Sequence, residues 1–227
     1  MQTDEMLVLA CSKKWGGRCV AGISRRTRGW LRPVSGRVHR ELGSRHYPVG
    51  GRDLEPLDVV RIEYGDNLSD PSQPENVEVS ASRWELVRAI DPGDAERVLS
   101  RHLTEGPALL GNHGAAMPEK EAMRGVEASL ALVRPAWAEF SLEPPHPGKD
   151  RTRPRASFGF DGEEYDLALT DYLVAPRLVA AGIGAHGLAE LGLPANPDVF
   201  LTVSLAEPQD GWCTKLVAAV LLLPGES

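Results

Sequence analysis

The chain has 227 residues, a formal net charge of −7, 42% hydrophobic and 25% charged residues, values ordinary for folded proteins that exclude a disordered chain and give no sign of a membrane class. The longest apolar run, LVAAVLLL over 216–223, is far shorter than the roughly 20 residues that span a bilayer. The N-terminal MQTDEMLVLACSKKW places acids ahead of a brief apolar stretch and has no basic leader region, so the sequence predicts a cytoplasmic location with no membrane partner.

Short β-like runs bounded by Gly, Pro, Asn and Asp dominate the first half: 7–12, 18–23, 29–34, 57–64, 76–80 and 84–90. Two connecting segments, SGRVHRELGSRHYPVGGRDLEP and GDNLSDPSQPE, are long; loops above about 12 residues are more often functional or disordered than idle. After Ile90 a helix signal begins, with Asp91 as N-cap and Pro92 in the first turn. Residues 103–124, rich in Gly and Pro, read as a connector with one helical turn after Met117. Strands resume at 128–135, 137–143, 153–160 and 163–170, then a helix and Gly-rich turn over 176–193, then strands 199–207 and 213–223. Asp161-Gly162 between two alternating runs marks a tight hairpin, because both central residues of a type I′ turn need positive φ.

This order predicts a mainly β protein of two small β-barrels in tandem, with short helices in the connector and in the second half. The expected division is 1–90 for the first barrel, 91–127 for the connector and 128–227 for the second barrel. Arg-Pro at the end of an apolar run in both WLRPVS and LVRPAW is a weak internal echo. Several stretches in order, MLVLACSKKWGGRCVAGI, GWLRPVS, QPEN with Trp84 after it, FGFDGEEYDLALTD, and LTVSLAEP followed by WCTKLVAAVLL, resemble the dual OB-containing domain family of prokaryotic proteins over nearly the whole chain. The resemblance implies two OB-type barrels and a role in binding nucleic acid or nucleotides, and brings no catalytic residues with it.

Charge is unevenly spread. Between Lys13 and His46 there are ten Lys or Arg against one acid, Glu41, so this window is +9 and the remainder −16. Such asymmetry points to an anionic partner, either nucleic acid or an acidic protein; the bland alternative pairs these arginines with acids elsewhere in the fold. OB barrels bind single strands through a cationic groove with aromatic platforms, and both ingredients lie close together in Lys13, Lys14, Trp15, Arg18, Arg25, Arg26, Arg28, Trp30 and Arg32. Arg153 and Arg155 beside Phe158 and Phe160 extend this face or protect an exposed edge. Trp30 and Arg32 share one strand face. If that face is enclosed, Arg32 pairs with a carboxylate such as Asp58 or Glu63, or it lines a pocket for a nucleotide phosphate, with Asn76 of QPEN reading a base edge.

The first expectation is therefore a non-enzymatic module for single-stranded DNA or RNA. The alternative is a nucleotide or small-phosphate sensor, or a nucleotide-processing enzyme, using a pocket around Arg32 and Asn76. Three cysteines without C-x-x-C spacing and six scattered histidines predict no metal site and no cofactor. No P-loop, nucleophile elbow or dinucleotide fingerprint occurs, so no catalytic residue is expected.

Overall fold

The computed structural model describes residues 1–225 except 15, 37, 38, 45, 47 and 69, and all side chains but those of Lys14 and Pro48. Two sheets hold most of the chain. In the first, β1 (Gln2–Lys14), β2 (Gly17–Ser24) and β3 (Trp30–Val34) form an antiparallel meander. The long loop that follows carries a small ribbon, β4 (Pro48–Val49) and β5 (Arg52–Asp53), and leads to β6 (Asp58–Asn67), β7 (Asn76–Val79) and β8 (Glu85–Ala89). β7 pairs parallel with β3 and antiparallel with β6. The first half of β1 pairs with β6 and its second half with β2. The sheet thus closes in the order β1-β2-β3-β7-β6-β1, the five-stranded Greek-key barrel of an OB fold.

Strand alternation places Met6, Val8, Val20, Leu31, Val60, Ile62 and Val77 inside this barrel. The opposite face is also apolar: Leu9, Ala21 and Ile23, together with Ala10, which an irregularity between Val8 and Ala10 turns outward, join a separate buried cluster with Leu130, Phe200, Ala218 and Leu221 of the second sheet. β1 and β2 are therefore buried on both faces, which is why they read as nearly continuous apolar runs. Gly22 allows their closest approach, since a Cβ there would lie 2.0 Å from the Leu7 carbonyl oxygen.

The second sheet contains β9 (Ala116–Pro118), β10 (Leu130–Val133), β11 (Trp137–Glu143), β12 (Arg153–Phe160), β13 (Glu163–Leu169), β14 (Gly184–His186), β15 (Asp198–Leu205) and β16 (Trp212–Leu223). Its order is β10-β15-β16-β13-β12-β11-β14, with β13 and β16 parallel and β9 beside β16. β10 and β11 are successive parts of one course, broken at Arg134-Pro135-Ala136 where proline removes a ladder donor. Counted together, they repeat the connection order of the first barrel. Phe158 and Tyr165 stack in its core with ring centroids 5.5 Å apart.

Asp91 caps α1 (Pro92–Leu99) through Gly93 N–H at 2.9 Å, as expected. α2 (Glu119–Ala122) supplies the single turn after Met117. The helix expected over 176–193 is shorter: α3 (Ala175–Ala181) ends at Gly182, which has φ +100°, and β14 follows. Asp161 and Gly162 both have positive φ, as the hairpin requires. The Arg-Pro echo does not mark a repeat, because Arg32-Pro33 lies within β3 whereas Arg134-Pro135 interrupts the strand course of β10 and β11.

Candidate functional site

The barrels meet along a seam held by polar as well as apolar contacts. The Glu75 carboxylate accepts from Ser129 N–H at 2.7 Å and from Ser129 Oγ at 2.6 Å, and Thr202 Oγ1 donates to the Leu9 carbonyl at 2.6 Å. Lys13 N–H donates to the Thr170 carbonyl at 3.1 Å beside a backbone bridge between Ser12 and Asp171. The Asp171 carboxylate in turn accepts from the N–H groups of Leu173, Val174 and Ala175, fixing the start of α3 against the first barrel.

A cavity of about 340 Å³ opens in this seam, within the size range of small-ligand sites. Its buried wall comprises Arg32, Gln73, Ser204 and the small apolar side chains of Ala10, Ala21 and Ala218; Lys13, His39 and Gln209 are exposed at its rim. β1, β2 and β3 supply most of the first-barrel side, and β15, β16 and the turn between them most of the other. It therefore uses the strand 2 and 3 face on which OB barrels receive ligands.

Arg32 is the chemical centre of this cavity. It is 2% exposed. Its Nη2 donates to the Ser129 carbonyl at 3.3 Å and to Ser204 Oγ at 3.0 Å, while Nε and Nη1 have no partner. The expected pairing with Asp58 or Glu63 does not occur: Asp58 binds Arg52 at 2.9 Å, and the Arg32 face looks toward the second barrel. No carboxylate pairs with Arg32 among the described residues. A guanidinium remains protonated throughout the accessible pH range, so burial leaves a fixed positive charge in the wall. Lys13 adds a second cation at the rim, against one lining carboxylate, Glu207.

The other residues singled out from sequence are distributed differently. Asn76 is fully buried beside Arg32, with which it is aligned across the parallel β3–β7 pair. Arg18 is buried, pairs with Asp53 and stacks 4.4 Å from the Tyr172 ring centroid, lining a separate, mostly apolar cavity of about 410 Å³. Burial pushes the neighbouring Cys11 thiol up to about 11, so it is not a thiolate at neutral pH. Arg25 pairs with Glu5 and, by hydrogen bonding to it, holds that carboxyl below its usual range. Arg26 donates to Tyr64 Oη at 3.2 Å. Arg28 is exposed in the same turn with φ +59° and has no ion-pair partner among the described residues. Trp30 is half-buried and borders a groove that also carries Glu105, Glu121 and Glu127, which is not a surface for a polyanion.

On the second barrel, Arg153 pairs with Glu143 at 2.9 Å and Arg155 with Asp166 at 2.7 Å. Trp15 and the side chain of Lys14 lie outside the described residues. The structure thus brings Arg32 and Lys13 to one cavity, with Asn76 aligned beside Arg32 but outside the lining, and spreads the remainder over four other surfaces. Ser204 and Gln209 were not singled out from sequence, since nothing in LAEPQDGW marks a turn that folds over another barrel. Among the described residues no helix is long and apolar enough to cross a membrane.

A family model for the dual OB-containing domain matches residues 4–220. No curated protein matches the chain. Among solved structures, the tetrameric p202 HIN2 is similar at a TM-score of 0.29 and 8% identity, over 98% of this chain and 92% of that one. A replication protein A heterotrimer bound to ssDNA is similar at a TM-score of 0.39 and 14% identity, over 100% and 49%. The p204 HINb domain is similar at 0.32 and 13%, over 96% and 94%. Likenesses this distant carry no argument about a ligand.

Proposed function

The chain belongs to the dual OB-containing domain family, and we propose that it is a binding module for a small anionic ligand of the nucleotide class, seated in the cavity between its barrels. The observation that carries this reading is the buried Arg32 guanidinium, which has two unpartnered nitrogens and belongs to the wall of a cavity of ligand size. Burying an unneutralised charge costs several kcal/mol, and a ligand that accepts from Nε and Nη1 offsets that cost. The exposed ammonium of Lys13 at the rim supplies attraction for a phosphate that remains near solvent. The same reading divides the chain at 1–90, 91–127 and 128–227, with the ligand between the first and last segments.

Thermal denaturation against a panel of nucleoside 5′-monophosphates tests this. A ligand at 100 times its dissociation constant is expected to stabilise the protein by about 2.7 kcal/mol; absence of a shift with every nucleotide contradicts the proposal. The exposed turn carrying Arg25, Arg26 and Arg28 favours a second reading, single-stranded DNA or RNA bound across the first barrel. That mode has steep salt dependence, and failure of all oligonucleotides to bind at low salt rejects it.

A further inference from the structure

We propose that, away from the cavity, the exposed indole of Trp137 on the second barrel and the arginine turn at 24–29 on the first form the two halves of one interface, through which the protein binds a second copy of itself. Trp137 is 41% exposed, unusual for a side chain that is mostly buried in folded proteins. In the register of β11 and β12 it lies opposite Gly159, and its Nε1, Cδ1 and Cε2 stand 2.5, 2.9 and 3.2 Å from the place a Cβ would take there. Three bonded ring atoms at such similar distances mean that the glycine meets the face of the indole and not its edge. One face therefore rests on the sheet and the other is left to solvent, where it can receive a cation.

The charges around the indole select that cation. Glu164 of β13 is next in the same cross-strand row, and Glu139 follows Trp137 on the outer face of β11. Neither has an ion-pair partner among the described residues, whereas Asp166 and Glu143 on this face are taken up by Arg155 and Arg153. An arginine side chain fits best, because its plane stacks on the ring while its N–H groups serve the carboxylates. The chain offers such arginines itself. Arg26 and Arg28 are exposed and have no carboxylate partner among the described residues. Their turn is held by Ser24 N–H donating to the Gly29 carbonyl at 3.0 Å and Arg28 N–H to the Ser24 carbonyl at 2.9 Å, and a preordered turn loses little entropy on docking. Turn and indole lie on different barrels, so the contact is heterologous. It gives the unpaired arginines of a chain with net charge −7 a matching acidic surface on the same protein.

Sedimentation equilibrium in about 0.1 M salt tests this, since a Debye length of about 10 Å screens distant like charges and spares direct contacts. The mean mass of the wild type is expected to rise above 24.6 kDa with concentration. Two double variants, Arg26→Gln with Arg28→Asn and Glu139→Gln with Glu164→Gln, change exposed positions only, and asparagine suits the φ of +59° at Arg28. Each is expected to weaken self-association at least about 10-fold. Mixed one to one, they retain one intact turn and one intact indole surface, and are expected to form dimers and nothing larger. A wild type that stays monomeric overturns the proposal, as does either variant associating like the wild type, or a mixture that remains monomeric or grows beyond the dimer.

Discussion

Replacing Arg32 with methionine is expected to stabilise the ligand-free protein by about 1–4 kcal/mol and to abolish its response to nucleotides. The gain follows from what the substitution leaves behind. The Ser129 carbonyl still accepts from Leu205 N–H at 2.8 Å, and Ser204 Oγ retains the Leu205 carbonyl at 3.4 Å. Methionine fills much of the same volume with a flexible apolar chain, so the variant removes a buried charge and strands few polar groups. A structural arginine behaves oppositely, because breaking a buried ionic network costs about 3–5 kcal/mol. Urea denaturation of the two proteins without ligand distinguishes these cases, and a large loss of stability in the variant contradicts a ligand-binding role for Arg32.

Lys215 is the second buried cation without a carboxylate partner among the described residues, and its substitution is expected to show a pH-dependent effect. It is 2% exposed, and its Nζ donates to the Asn112 carbonyl at 2.6 Å and Asn112 Oδ1 at 2.7 Å, with the Tyr165 ring centroid 5.6 Å away. Burial lowers its pKa from 10.5 to about 8. Between these values the unfolded chain binds the proton more tightly than the folded one, so the contribution of this group to stability is least below pH 8 and rises as the pH approaches 10.5. Relative to Lys215→Met, the wild type is therefore expected to gain about 3 kcal/mol across this window, at about 1.4 kcal/mol per pKa unit. Groups other than Lys215 titrate alike in both proteins and cancel from the difference. A difference independent of pH contradicts the assignment. Lys215 and Arg32 also diverge in chemistry: the lysine finds acceptors in Asn112 and can shed its proton, while the arginine retains both its charge and unused donors.

Most strands were legible because apolar runs bounded by turn formers reflect local physics. Strands 137–143 and 153–160 coincide with β11 and β12 to the residue, and Asp91 and Asp161-Gly162 act as their chemistry requires. Face assignment was harder. Alternation correctly places Trp30 and Arg32 together, yet it does not reveal that the outer surface of the first barrel is covered by the second. The basic window reads as a docking surface for the same reason: Asp53 and Asp70, which pair with Arg18 and Arg40, lie about 30 or more residues away and are brought close only by barrel closure. Arg32 was visible as a residue of interest, but its partners Ser129 and Ser204 come from the other half of the chain. The hydrogen bonds that run from Leu205 through Gln73 to Asn76 are likewise a product of tertiary structure.

The Nε–H of Arg32 is observed directly in a ¹⁵N–¹H spectrum. Titration with individual nucleoside 5′-monophosphates is expected to move the Arg32 Nε–H resonance saturably while that of Arg18, already paired with Asp53, stays in place. An Arg32 resonance unmoved by every nucleotide, with those of Arg25 and Arg28 shifting on addition of a single-stranded oligonucleotide, contradicts the cavity and returns the function to the exposed basic turn.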